Sequence, residues 1–150
     1  MGMVELQEAF RIIENSTSAD FDGEKEEGLI DKAEKFLGLK FPTTYREFLK
    51  TLGCGGILGK GFYGVIDEDF ESSSVPDAIW LTNDERKSSN LASSLVLIGQ
   101  SIEGYYALDT ARMKDGECPV VDALPVGNPE EFEVIAPDFG TFLLDEIRGA

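Results

Sequence analysis

The sequence predicts an α+β fold, with N-terminal helices packed on an antiparallel sheet and a closing C-terminal helix. Three observations support this prediction. Apolar residues recur at helical spacing early in the chain, short alternating segments separated by turn residues follow, and helical spacing returns at the end. Helices that precede an antiparallel sheet are typical of the α+β class. Because 150 residues is the usual size of one domain, we expect residues 1–150 to form a single domain.

The N-terminal part of the chain is predicted to contain three helices. A polar segment, residues 15–23, separates the first helix from the second and is expected to be a loop. Gly38 stands where a cap ends the second helix, Pro42 opens the third, and Gly53 ends it. The predicted buried faces are Leu6, Ala9, Phe10 and Ile13, then Leu29, Ile30, Ala33, Phe36 and Leu37, and then Tyr45, Phe48, Leu49 and Leu52.

The rest of the chain is predicted to combine one more helix, four strands and a final helix. A glycine-rich run, residues 53–64, and an acidic stretch, residues 67–71, come first. A fourth helix is predicted over residues 76–87, with Ile79 and Trp80 as its buried side chains. Strands are predicted at residues 95–99, 105–109, 119–122 and 131–135, and the final helix follows a cap at Asp138 and buries Phe139, Phe142, Leu143 and Ile147.

The charge of the chain limits the kinds of partner it binds. Its 29 acidic residues outnumber 13 basic residues, which gives a formal net charge of -16. A protein of this charge repels phosphate backbones and anionic lipid, so nucleic acids and membrane surfaces are excluded as direct partners. A basic protein is the partner that this charge favours. A contribution to solubility alone explains the charge equally well.

The sequence predicts a cytoplasmic protein with two free thiols. Residues 1–10 lack the basic start and apolar run of an export signal, and no segment reaches the roughly 18 apolar residues of a membrane-spanning helix. The two cysteines, Cys54 and Cys118, lie far apart in the chain and in no metal-binding or redox spacing. In a reducing compartment such cysteines stay unpaired.

Two short motifs resemble nucleotide-binding sequences without the required context. Residues 59–64 read GKGFYG, which matches the dinucleotide-binding pattern G-x-G-x-x-G. That pattern needs a strand before it and a helix after it, whereas here a predicted helix precedes it and the acidic stretch follows. A turn that enters a strand is the better interpretation. Residues 138–140 read DFG, as in kinases, but the chain has no histidine for the kinase catalytic loop, so we interpret Asp138 as a helix cap.

The sequence predicts no enzymatic activity, no bound metal and no cofactor. The absence of histidine removes serine–histidine and cysteine–histidine nucleophile pairs and ordinary zinc sites. Residues 67–71 begin like a calcium-binding loop, but Ser72 and Ala78 occupy the positions where such a loop needs glycine and glutamate. No pattern singles out the pair of carboxylates that a glycosidase requires.

Several short segments form an ordered set of motifs. Residues 33–38 read AEKFLG and residues 41–49 read FPTTYREFL, which resembles the N-terminal signature of the SUKH superfamily of Smi/Knr-type immunity proteins. Residues 104–109, GYYALD, are similar to one of its strands. Its next strand and its closing helix are matched by residues 119–122 and 138–147. The resemblance covers roughly residues 24–147 and implies a SUKH-like α+β fold.

The resemblance implies an immunity protein of a bacterial toxin system, which binds and blocks a cognate toxin domain, commonly a nuclease. Because a nuclease is usually basic where it holds phosphate, an acidic inhibitor can occupy that cleft as a phosphate mimic. The resemblance also leaves an alternative open, since some relatives are implied to act as non-catalytic regulatory or scaffold proteins in cell-wall or signalling pathways. An immunity protein should co-purify with one toxin domain, whereas a scaffold should bring down several unrelated proteins.

The predicted partner-binding region is residues 61–85. It contains seven acids and no basic residue, in a glycine- and serine-rich connection of the kind where binding residues concentrate. Aromatic residues beside these acids suit an interface anchor with a polar rim. The predicted binding residues are Phe62, Tyr63, Asp67, Glu68, Asp69, Glu71, Asp77, Asp84 and Glu85. An alternative interpretation places the aromatic side chains in the core and leaves the acids solvated, and residues 115–138 form a second acidic candidate.

Overall fold

Helices form at all three N-terminal positions where the apolar spacing predicts them. The structure is a computed structural model that describes residues 2–124 and 128–149. Its first helices are α1 at Met3–Glu14, α2 at Glu27–Leu37 and α3 at Thr43–Leu52. Gly38 ends α2 in the left-handed conformation, with a φ of 73°, as predicted for a glycine cap. Pro42 is the residue immediately before α3 rather than its first residue.

A small antiparallel sheet forms from segments predicted to be a loop and a glycine-rich turn. Its strands, in spatial order, are β1 at Asp20–Phe21, β2 at Gly55–Ile57 and β3 at Lys60–Phe62. The prediction of a loop over residues 15–23 is therefore wrong at Asp20 and Phe21. Strands of two or three residues, partly glycine, are too short to show an alternating pattern, so only their pairing across the chain defines them.

The main sheet contains the four predicted strands in sequence order, and every neighbouring pair is antiparallel. The strands are β4 at Leu95–Gln100, β5 at Tyr105–Asp109, β6 at Val120–Ala123 and β7 at Val134–Ala136. Helix α4 at Ala78–Ser88 precedes the sheet, and α5 at Phe139–Arg148 follows it. The last strand begins later than predicted because a 3-10 helix at Pro129–Glu131 occupies the preceding residues.

The main sheet separates two hydrophobic clusters. In β4, Val96 and Ile98 belong to the larger cluster together with residues of α1, α2, α3 and α5. Leu95 and Leu97 belong to a smaller cluster with Leu81 of α4. This division follows from strand geometry, because successive side chains of a strand point to opposite faces. The α+β prediction is confirmed. Helices α1, α2, α3 and α5 pack on one face of the sheet, whereas α4 lies along β4 and contributes Ile79 to the larger cluster and Leu81 to the smaller one.

The buried side of α4 differs from the prediction. Ile79 is fully buried as predicted, but Trp80 is only half-buried, and Leu81 and Thr82 are buried instead. Thr82 Oγ1 accepts a hydrogen bond of 3.0 Å from the backbone N–H of Leu97, which fixes α4 on β4. Trp80 lies two positions before Thr82. Its side chain is therefore turned by about 200° around the helix axis relative to that of Thr82, away from the contact with β4.

The aromatic core forms as the helical spacing predicts. It comprises Tyr45, Phe48, Phe139 and Phe142, all of which are almost completely buried. The rings of Tyr45 and Phe139 meet edge to face with centroids 5.0 Å apart, and those of Phe48 and Phe139 lie 5.1 Å apart. These contacts pack α5 against α3, and such aromatic pairs stabilise a core beyond the area that they bury.

The G-x-G-x-x-G motif serves the fold. Leu58 and Gly59 form the turn between β2 and β3. Gly64 lies against the backbone of Gly53, and its N–H donates to the carbonyl of Pro76 at 2.9 Å. No helix follows the motif directly, because the next one, α4, begins at Ala78. A phosphate site of the dinucleotide-binding kind needs that helix N-terminus, so the interpretation as a structural turn fits the fold.

Candidate partner-binding surface

Four exposed acids lie on the connection between β3 and α4. They are Asp67, Glu68, Asp69 and Glu71, and we call them the acidic loop. All four belong to the predicted binding set, and all four point their charge into solvent. Because no basic residue occurs between residues 61 and 85, the loop carries no compensating charge of its own.

Internal contacts hold the acidic loop in one conformation. The ring of Phe70 is buried, with its centroid 5.2 Å from that of Phe36 on α2. The backbone N–H of Asp69 donates to Oδ1 of Asp67 at 2.9 Å, and the N–H of Ser72 donates to Oδ1 of Asp69 at 3.2 Å. A loop that is already ordered loses less conformational entropy when it binds, so these contacts favour recognition through the exposed carboxylates.

The charge of the acidic loop is only partly neutralised. Lys32 of α2 pairs with Glu68 at 2.9 Å, but both side chains are mostly exposed, and exposed pairs of this kind contribute little to stability. Among the residues that the structure describes, Asp67, Asp69 and Glu71 form no ion pair. Three carboxylates of the acidic loop therefore keep a negative charge that no ion pair within the described residues neutralises.

Two residues of the predicted binding set lie inside the protein. Phe62 is 2% exposed, and its ring contacts that of Phe142 at a centroid distance of 6.2 Å. Asp77 is fully buried and caps α4, accepting hydrogen bonds from the backbone N–H groups of Ile79 at 2.9 Å and Trp80 at 3.1 Å. Phe62 and Asp77 therefore support the fold, and the interpretation of Phe62 as an interface anchor does not fit its position.

The remaining three residues of the predicted binding set, Tyr63, Asp84 and Glu85, do not belong to the acidic loop. Tyr63 is half-buried, and its carbonyl accepts a hydrogen bond of 2.9 Å from the Tyr45 hydroxyl. Asp84 and Glu85 belong to the second half of α4 and lie beside Tyr105 of β5. Burial, and to a lesser extent the charges of Glu85 and Asp84, raise the pKa of Tyr105 above its ordinary value. The sequence did not predict that Tyr105 is a neighbour of Asp84 and Glu85. The alternating pattern of a strand such as β5 does not reveal which helix lies near it.

Two buried carboxyl groups have raised pKa values. Burial raises the pKa of Asp77 in spite of its hydrogen bonds from the start of α4. Burial also raises the pKa of Glu117, although its oxygens accept from Thr44 N–H at 2.9 Å and from Thr44 Oγ1 at 2.8 Å. In both cases the cost of removing a negative charge from water exceeds the gain from the hydrogen bonds.

We expect the protein to lose stability as the pH rises from about 4 towards neutrality. A carboxyl group with a raised pKa in the folded state binds its proton more tightly when folded. The stability that Asp77 and Glu117 provide in this way is complete at a pH below their pKa in the unfolded chain. It disappears as the pH rises through their pKa in the folded protein. Urea unfolding between about pH 4 and pH 8 measures the change. The Glu117→Gln variant should show a shallower dependence than the parent, and a steeper or unchanged one would contradict the assignment to Glu117.

The described residues include no metal-binding cluster, and their two thiols are buried. Within residues 2–124 and 128–149, no group of three or more histidine, cysteine, aspartate or glutamate side chains could hold a metal ion. Burial raises the pKa of the Cys54 thiol to about 11 and that of Cys118 to about 12, and both thiols are unpaired. A thiol with such a pKa carries almost no reactive thiolate near neutral pH.

None of the described helices combines the length and apolar character needed to cross a bilayer.

The chain matches the model of one protein family over most of its length. A family model described as SMI1-KNR4 cell-wall, SUKH_5, matches residues 4–148. The match includes both sheets and all five α-helices except Met3, the first residue of α1.

Proposed function

The chain belongs to the SUKH family of SMI1-KNR4 proteins, and from this premise we propose that it is a cytoplasmic immunity protein that binds and neutralises a cognate toxin domain. Immunity to a toxin is the usual role in this family, and its members are generally non-catalytic. The observation that supports a basic toxin is the acidic loop, which presents carboxylates from a fixed backbone. A nuclease, whose cleft is positive where it holds phosphate, is the toxin class that we propose.

Charge complementarity supports this proposal in two ways. The net charge of -16 produces a negative field that attracts a basic protein and speeds its association. The carboxylates of Asp67, Asp69 and Glu71 then lie where lysine and arginine side chains of the partner could contact them. Opposite charges across an interface attract the right partner, and like charges on other proteins repel them. Charge complementarity therefore raises both the specificity and the association rate.

Reversing three charges of the acidic loop is expected to weaken toxin binding strongly. The Asp67→Lys, Glu68→Lys, Asp69→Lys variant places three cations opposite the basic partner. We expect a loss of about 2–5 kcal/mol, or about 30-fold or more in Kd, because removing one member of a desolvated charge pair costs this much. Calorimetry with the purified toxin domain measures the affinity, and survival of cells that express both proteins measures protection.

A matched variant separates local contact from total charge. Glu14, Glu24 and Asp145 are exposed and outside the described ion pairs, so their triple change to lysine alters the net charge by the same amount. We expect this control to weaken binding only a few-fold, through the long-range field. A loop variant that binds and protects as well as the parent would place the binding site elsewhere, for example at the second acidic candidate, residues 115–138.

A regulatory or scaffold role is the second candidate, and the words "cell-wall" in the description of the family model favour it. The two roles differ in the number of partners. An affinity-tagged immunity protein should recover one toxin domain from the native host, and the gene for that toxin should lie next to its own. Recovery of several unrelated proteins, none of them toxic to cells that lack this chain, would support the scaffold role and reject the immunity role.

A further inference from the structure

A groove of about 240 Å³ opens on the face of the main sheet that α4 covers only in part. Its floor is formed by strand residues, and its walls are the end of α4 on one side and the segment around the 3-10 helix on the other. We call it the Tyr105 groove, and its principal lining residues are Glu85, Leu91, Leu97, Tyr105, Ala123 and Phe132. Small-molecule sites usually enclose about 300–1,000 Å³, so the volume suits one inserted side chain better than a metabolite.

Among the described residues that line the Tyr105 groove, Glu85 is the one that carries a charge. Its side chain is half-buried, and within the described residues it forms neither an ion pair nor a hydrogen bond. A carboxylate that has no ion pair and stands beside an apolar lining attracts a cation more strongly than one surrounded by water. The groove therefore has an apolar lining and one position where positive charge is favoured.

The surroundings of the groove do not supply this cation. Arg86 follows Glu85 in the chain, but its guanidinium points the other way and donates to the carbonyls of Leu37 at 2.8 Å and Ser93 at 2.7 Å. Exposed acids are instead the chain neighbours of lining residues: Asp84 precedes Glu85 on α4, and Glu130 and Glu131 lie between Pro129 and Phe132. The tertiary structure thus brings the end of one predicted acidic region, residues 61–85, next to part of the other, residues 115–138.

We infer that the Tyr105 groove receives an arginine side chain of the partner protein, with its guanidinium on Glu85 and its flat face on the aromatic lining. Arginine fits better than lysine because its planar guanidinium stacks on aromatic rings while it donates to a carboxylate. The inference rests on the proposed function only in assuming that a basic protein is the partner. It adds a binding pocket for one side chain, separate from the acidic loop.

The inference is tested with a small probe and without any toxin. N-acetyl-arginine amide is titrated into the isotopically labelled protein, and backbone amide shifts are followed by NMR. We expect saturable shifts at Tyr105, Leu91 and other groove residues, with a Kd in the millimolar range. The citrulline analogue has the same shape without the charge, and it should cause clearly smaller shifts at the same concentration. Equal shifts from the two compounds would overturn the inference.

Two single substitutions test whether Glu85 acts locally. Glu85→Gln should weaken probe binding about two- to fivefold, as expected for a partly exposed charge contact. Asp67→Asn removes the same amount of charge from the acidic loop and should leave the groove shifts unchanged. Equal weakening by both variants, or probe shifts confined to the acidic loop, would show only general attraction and would reject the groove as the site. Because no toxin enters the assay, this result is independent of whether the chain is an immunity protein.

Discussion

Replacing Gly64 with alanine is expected to destabilise the fold by about 3 kcal/mol or more, the upper part of the range for overpacked sites. A Cβ atom on Gly64 would overlap the carbonyl oxygen of Gly53 and crowd Cδ2 of Leu49. Neither backbone segment can move away easily. Gly53 accepts the N–H of Val65 at 3.1 Å, and Gly64 accepts the N–H of Ala78 at 2.7 Å. The change therefore separates α3 from the start of α4 or breaks these hydrogen bonds.

Gly28→Ala is the matched control for Gly64→Ala. Gly28 lies in α2, and a Cβ atom there would meet nothing within 4 Å. Alanine favours the helix by about 0.5–1 kcal/mol over glycine, so this variant should be slightly more stable than the parent. Urea unfolding of the three proteins measures both effects. If Gly64→Ala unfolded at the same urea concentration as the parent, the close packing described for residue 64 would be refuted.

Truncation of Glu34 to alanine is expected to cost about 3 kcal/mol of the free energy of unfolding. Glu34 is a buried carboxylate of α2 with two close partners and a more distant one, the exposed Lys40 at 3.9 Å. One carboxylate oxygen accepts the backbone N–H of Phe41 at 2.7 Å, and the other pairs with Nη1 of Arg46 at 2.9 Å. Alanine would leave a buried N–H without an acceptor and a partly buried guanidinium without its inner partner. We place the loss at the lower end of the range for buried pairs because Arg46 is partly exposed.

Asp31→Ala is the comparison that isolates the effect of burial. Asp31 is on the same helix and pairs with the same arginine, through Nη2 of Arg46 at 3.1 Å, but its side chain is 67% exposed. Exposed ion pairs contribute about 0–1 kcal/mol, so this variant should stay within about 0.5 kcal/mol of the parent. Similar losses from Asp31→Ala and Glu34→Ala would contradict the larger contribution that we assign to the buried carboxylate of Glu34.

The sequence predicts features whose physical causes act within a few residues. Helical spacing identifies the buried faces of α1 and α5, and alternation locates the strands of the main sheet. Caps are equally local. Asp138 accepts the backbone N–H of Thr141 at 2.7 Å, as its position before an apolar helical face predicts. The family signature consists largely of these same packing and cap residues, which is why the resemblance and the fold agree.

The candidate surface could be predicted only in part, because the roles of its residues depend on segments distant in the chain. An aromatic residue next to acids looks the same in sequence whether it is an interface anchor or part of the core. For Phe70, the decisive contact comes from Phe36 on α2. For Phe62, it comes from Phe142 on α5. The acids of residues 67–71 are exposed because Phe70 is buried, and burial of that ring is a property of the assembled core.

By itself, then, the sequence determined the fold class, the order of the helices and main strands, the family and the negative charge. The tertiary structure alone decided which acids face solvent, that Asp77 is an interior cap, and that Glu85 meets Tyr105 across a groove. The physical reason is the range of the interactions. Spacing, caps and net charge are set by neighbouring residues or by composition, whereas burial and pairing depend on contacts between elements that fold together from separate parts of the chain.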